Sequence, residues 1–119
     1  KITLDIHRDG LAKGKGKLRV VKEIDGKSAA QVMFVVGTDE NGFKHPQWRE
    51  NLKLAIKLQQ KLNEICPGLT RPILISKNRY NQHLTTGSLI IEMGGDGNTL
   101  DEALESAKYV ARAISEVIN

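Results

Sequence analysis

Apolar and polar residues alternate along Ile2-Thr3-Leu4-Asp5-Ile6-His7. That period of two predicts a strand with Ile2, Leu4 and Ile6 on one face. Gly10, Gly14 and Gly16 then fall among lysines, which predicts a loop over 10–17. Leu18 to Ile24 and Ala29 to Gly37 read as two strands around Asp25-Gly26, a hairpin-turn pair. Val32-Met33-Phe34-Val35-Val36 is apolar on both faces, so it is expected to lie centrally in a covered sheet. After a polar loop over 38–44, Pro46 suits the first turn of a helix. Leu52, Ala55, Leu58, Leu62 and Ile65 recur at helical spacing until Pro67-Gly68 stops the run. Arg71 to Ser76 reads as another strand, 78–87 as a polar loop, and 88–93 as a short apolar strand carrying Glu92. Thr99 is placed as a helix N-cap, with Glu102 completing a capping box. Leu100, Ala103, Leu104, Ala107, Val110, Ala111, Ile114 and Val117 give the following helix a wide apolar stripe.

Strands interleaved with helices of this length predict an α/β fold. The expected form is three layers, a mixed and mostly parallel sheet with helices on both faces. No repeat, linker or internal boundary divides the 119 residues. Hydrophobic residues make up 39% and charged residues 27%, enough to build one core. The net charge of +4 suits an anionic partner such as a nucleic acid, a membrane surface or a cell-wall polymer, without choosing among them. Aromatics at 4% argue against a nucleic-acid binder that works by stacking. A single cysteine, Cys66, rules out an internal disulfide and reads as a small buried apolar group. No apolar run approaches the roughly 20 residues of a membrane span. The sequence opens inside a strand and without methionine, so a C-terminal piece of a longer protein is expected, with any anchoring segment upstream.

Two strands end in side chains suited to catalysis. Ligands of open α/β sheets bind beyond the carboxyl ends of the strands, and His7 and Glu92 both fall near such ends. His7 reads either as a structural histidine or as a metal ligand, its imidazole oriented by the flanking Asp5 or Asp9. Glu92 follows Leu89-Ile90-Ile91, and a carboxylate in a buried strand is costly unless it is paired, metal-bound or used. One reading is a buried ion pair with Arg71 or Arg79. The other is a general base whose pKa burial has raised. Met93-Gly94-Gly95-Asp96-Gly97-Asn98-Thr99 lacks the Lys-Ser/Thr ending of a phosphate loop, and a tight strand-to-helix connection explains it better. Lys13 to Lys17 reads as a solvated loop rather than an anion site. His45 and His83 are placed on the surface or in a substrate cleft, since neither has a partner at metal-ligand spacing.

Several motifs then occur in order: Leu4-Asp5-Ile6-His7-Arg8-Asp9, Phe34-Val35-Val36-Gly37, Pro46-x-Trp48-x-x-Asn51-Leu52, Pro67-Gly68-Leu69-x-Arg71, Tyr80-Asn81-Gln82-x-Leu84, Leu89-Ile90-Ile91-Glu92-x-Gly94 and Asn98-Thr99-Leu100-x-Glu102-Ala103. As a set they resemble the C-terminal part of the stage II sporulation protein P family, within the zinc-dependent N-acetylmuramoyl-L-alanine amidases of type 3. The resemblance implies that residues 1–119 are the C-terminal part of a single amidase domain. It implies hydrolysis of the amide between muramic acid and the stem peptide, with peptide cross-links as further substrates, during endospore engulfment. By this similarity His7 matches the last of three protein ligands to one Zn2+, and Glu92 matches the catalytic glutamate. Arg8, Asn81 and Gln82 become candidates for orienting substrate. The family's other two ligands lie well upstream of the His-Arg-Asp motif, and this sequence starts only six residues before His7. The chain is therefore expected to lack two ligands and the fold's first strands and not to hold zinc tightly, which leaves its own activity open. The resemblance also implies peptidoglycan and sporulation proteins D and M as partners. It implies a place on the extracytoplasmic face of the cell membrane, reached only through an upstream segment.

Two rival readings stand beside this one. A non-catalytic module that binds peptidoglycan or a partner would account for the missing ligands. A basic nucleic-acid binder rests on net charge and the lysine-glycine loop alone.

Overall fold

The structure, a computed structural model, describes residues 1–118. Six strands and two long helices follow in the order β1 (Thr3–Asp9), β2 (Val21–Ile24), β3 (Lys27–Ala30), β4 (Val32–Gly37), α1 (Trp48–Ile65), β5 (Leu74–Ser76), β6 (Ser88–Gly95) and α2 (Leu100–Ile118). The main sheet has the order β1-β6-β4-β5. β1 runs parallel to β6 and β5 parallel to β4, whereas β4 and β6 are antiparallel, so the sheet is mixed and mostly parallel as expected. The two central strands, β4 and β6, are the ones with apolar runs on both faces, interrupted in β6 by Glu92. The alternating strand β1 is an edge.

The run expected as one strand over 29–37 is two. β3 pairs with β2 in a separate hairpin, and β4 enters the main sheet. Gln31 is the break: its N–H bonds to Val20 O, its carbonyl takes Gly94 N–H, and its side-chain amide donates to Gly68 O. A polar residue serving three segments changes the chain from one sheet to the other. The hairpin turn is as read from the sequence, with positive φ at both Asp25 (52°) and Gly26 (79°), the signature of a type I′ turn.

The layering differs from the expectation. The apolar stripes of both helices (Ala55, Leu58 and Leu62 of α1, Val110 and Ala113 of α2) join one core with Val32, Phe34, Val36, Leu89, Ile91 and Met93. Those strand residues alternate on a single face, so among the described residues both helices cover the same side of the sheet. The physical reason is that the two helices also pack on each other through this core. The opposite face carries Met33, Val35 and Ile90 as a small separate buried cluster. It is on this open face that the candidate chemistry lies.

Candidate active site on the open face of the sheet

The parallel register of β1 and β6 sets His7 beside Glu92 and Asp5 beside Ile90. Paired positions on neighbouring strands lie about 5 Å apart and project to the same face. The imidazole and the carboxylate therefore share one surface, near the carboxyl ends of two parallel strands. His7 Nε2 lies 2.9 Å from Asp5 Oδ1, two residues earlier on the same face. A register shift between His7 and Asp9 then brings Asp9 opposite Gly95, and its Oδ2 takes Arg71 Nη1 at 2.9 Å.

Glu92 is the unusual group. Its Oε2 is buried and has no hydrogen-bond partner. Burial pushes its carboxyl pKa up, the neighbouring Asp9 charge adds to this, and His7 and Arg71 oppose it. The sequence offered a buried ion pair as the alternative. Arg71 is instead held by Asp9, and Arg79 lies over the Phe43 ring and donates to Lys44 O. Neither arginine pairs with Glu92.

The other candidates divide. Arg8 alternates with His7 along β1 and takes the opposite face, where its guanidinium donates to Asn98 O. A role for Arg8 in orienting substrate at Glu92 does not fit that placement. Gln82 is buried, and both ends of its amide are used on β4: Gly37 N–H donates to Oε1 at 2.8 Å and Nε2 donates to Val35 O at 2.9 Å. It extends the ladder of the strand, which makes it a structural residue rather than a ligand for substrate. Asn81 is exposed and lines a cavity together with Asp5.

His45 is buried rather than on the surface, lines a cavity with Asp39 and Phe43, and has its Nε2 unpartnered. Burial first, then His83 and Arg79, lower its pKa. Cys66 is buried and free, as expected. In the glycine-rich connection the N–H groups of Gly95, Asp96 and Gly97 bond to Asn98 Oδ1, Asp9 O and Leu18 O. No cradle is left for a phosphate, and the strand-to-helix reading holds.

Sequence reasoning passed over Asn51 and Asp9-Arg71. Asn51 stands in register with Ala55, Leu58 and Leu62 on the buried stripe of α1. An amide at a core position of a helix was the available signal. The Asp9-Arg71 pair spans 62 positions, and no local pattern announces it.

Among the described residues no group of three or more His, Cys, Asp or Glu is arranged to hold a metal ion. At this end of the sheet the chain offers one imidazole, lying 2.9 Å from Asp5, and by itself that set does not fit a zinc centre.

A family model described as Stage II sporulation protein P matches residues 1–115. The chain belongs to the stage II sporulation protein P family. Membership places it among sporulation proteins. The stage II sporulation protein P of Bacillus subtilis (strain 168) is 34% identical over 119 residues, which cover 96% of this chain and 27% of that protein. The chain thus spans about a quarter of the length of this family member. No solved structure matches it. Among the described residues no helix is long and apolar enough to cross a membrane.

Proposed function

We propose that this chain carries the catalytic base and one metal ligand of a peptidoglycan amidase that acts in sporulation. The observation supporting this most strongly is Glu92, a half-buried carboxylate whose Oε2 is buried and unpartnered, set beside His7 on the adjoining strand. A protein does not leave such a group unpaired without cost, and a raised pKa moves it toward the range where proton transfer is efficient. Glu92 would take a proton from the water that attacks the muramoyl-alanine amide and return it to the departing amine. Asp5 would fix the ring plane of His7. Zinc, when bound, would supply polarisation of the carbonyl and a more acidic water. His7 would be one ligand, and the others would come from parts of the protein outside these residues.

On the same reading the substrate is peptidoglycan, with peptide cross-links a second target. The setting is the extracytoplasmic face of the membrane during engulfment, with sporulation proteins D and M as partners. The test is Glu92→Gln in the whole protein. Release of stem peptides from purified peptidoglycan should fall by about 10²- to 10⁴-fold, the usual contribution of a general base. Unchanged turnover would remove Glu92 from the mechanism.

The single imidazole also favours a second reading, a module that binds peptidoglycan without cutting it. Calorimetric titration of this chain with zinc separates the two. Absence of binding by the chain alone, together with tight one-to-one binding by the whole protein, is expected on the first reading. Absence in both favours the second.

A further inference from the structure

A cavity of 440 Å³ opens toward the amino-terminal ends of β1 and β6, and Asp5, Ile90, Tyr80, Asn81 and Leu84 are among its lining residues. It adjoins the candidate active site. Asp5 both lines the cavity and lies 2.9 Å from His7 Nε2, and Ile90 lies two residues before Glu92 on the same face.

One wall is the segment after β5, and it is held from beneath. Gln82 ties it to Val35 and Gly37 of β4. The Asn51 amide of α1 donates to the carbonyls of Gln82, Thr85 and Ser88 at 3.1, 3.1 and 2.8 Å. A Cβ on Gly37 would stand 2.4 Å from Asn78 O and 2.7 Å from Arg79 O, so this backbone lies directly on the end of β4. Buried amides thus anchor a segment whose upper side is open.

That upper side presents Tyr80, Asn81 and Leu84. Tyr80 has φ 55°, a left-handed conformation costing a tyrosine roughly 1–3 kcal/mol, and such strain persists only where the surroundings impose it. Tyr80 Oη lies 3.0 Å from Ser76 Oγ, which fixes the far end of the ring. Tyr80 and Leu84 are exposed large apolar groups. Asn81 opens the short 3-10 turn over Gln82–Leu84 without capping it. An aromatic, an aliphatic and an amide group on a rigid backbone make a recognition surface.

We propose that this cavity is the subsite for the peptide stem of the substrate, with Tyr80 and Asn81 as specificity-determining residues. The inference rests on the amidase reading for the identity of its ligand. A peptide is favoured over the glycan because Lys1 and Asp5 give the rim both signs of charge. A stem peptide carries ammonium and carboxylate groups, whereas an N-acetylated sugar chain carries neither. Tyr80 and Leu84 suit its alkyl side chains. The reach also agrees: at about 3.3 Å per residue, Asp5 and Thr3 lie roughly 7 and 13 Å along β1 from His7, the span of two to four extended peptide residues.

The experiment is isothermal titration of the whole protein with a synthetic stem tetrapeptide and, separately, with an N-acetylglucosamine tetramer, comparing wild type, Tyr80→Gly and Asn81→Ala. Glycine adopts a positive φ freely, so Tyr80→Gly removes the ring while relieving the backbone. Each variant should weaken the peptide by at least about fivefold, leave the sugar unaffected and raise KM for a soluble muropeptide. Peptide affinity unchanged in both variants, or loss of sugar binding instead, overturns the proposal. Failure of the amidase reading looks different: the wild-type whole protein would release no stem peptides from peptidoglycan while peptide binding still depended on Tyr80.

Discussion

Asp9 and Arg71 decide what kind of carboxylate Glu92 is. Were Arg71 free to reach Glu92, the acid would be ion-paired and held ionised well into acidic solution. Asp9 takes the guanidinium instead, at 2.9 Å, and adds a negative charge that raises the Glu92 carboxyl further. Asp9→Asn removes both effects in one step. The like charge disappears and Arg71 is released toward the remaining acid, and each change favours ionised Glu92. On the proposed reading Glu92 is a base and must be ionised to work, so the acidic limb of the whole protein's rate profile should move to lower pH. Comparing kcat/KM against pH for wild type and Asp9→Asn checks this, and a shift to higher pH would contradict it. The identity of His7 and Glu92 as candidates was legible in the sequence, because a carboxylate in an apolar strand and a histidine at a strand end each stand out. Their union was not. It depends on β1 lying beside β6 in one particular register, a pairing of residues 85 positions apart that no local pattern encodes. Period-two alternation along β1 does separate His7 from Arg8 in advance, and the structure follows it.

Among the elements, the junction of β6 with α2 was the most readable and proves the most densely bonded. The capping box is present as expected: Glu102 N–H donates to Thr99 Oγ1 at 3.1 Å, and Thr99 N–H donates to Glu102 Oε1 at 3.0 Å. What the motif did not show is that Glu102 also binds Arg19 and Asn98. The Asn98 amide in turn bonds Val20 and Gly95. One carboxylate therefore joins the helix start to the segment leading into the β2-β3 hairpin. The Arg19 guanidinium, followed by the Thr99 N–H, holds the Glu102 carboxyl down to about 2. An unfolded glutamate titrates near about 4.3, so this stabilisation is fully present above that value and is lost as pH falls toward 2. Glu102→Ala should cost roughly 1–2 kcal/mol at neutral pH. The gap from wild type should narrow at about pH 3, where the wild-type residue begins to lose its own contribution. Urea unfolding at both pH values measures it. A gap that widened on acidification would mean that Glu102 is not the titrating link.

For the molecule as a whole, the one-sided placement of the helices makes Asn51 the connection between the core and the open face. Composition and periodicity gave the α/β class and the mixed sheet, because these follow from runs of a few residues each. Which face each helix covers depends on how the helices pack on one another. Asn51 sits on the core stripe of α1, fully buried, with its Nδ2 directed at three carbonyls on the segment leading into β6. That segment bears Tyr80 and Asn81 at one end and runs into the strand of Glu92 at the other. Asn51→Asp keeps the shape and replaces the donor with an acceptor, turning a carboxylate toward three carbonyl oxygens. Leaving such buried groups unpaired costs on the order of 1–3 kcal/mol each, and a charge adds to this. The variant should lose about 3 kcal/mol or more of stability at neutral pH, and acidification should restore part of it, because the protonated acid can donate again. Asn51→Leu should be comparably destabilised but indifferent to pH between about 4 and 7, since it has no group that titrates there. Thermal unfolding of both variants across that range makes the comparison. A pH-independent loss in Asn51→Asp would show that packing at this position, rather than hydrogen bonding, joins the two sides of the sheet.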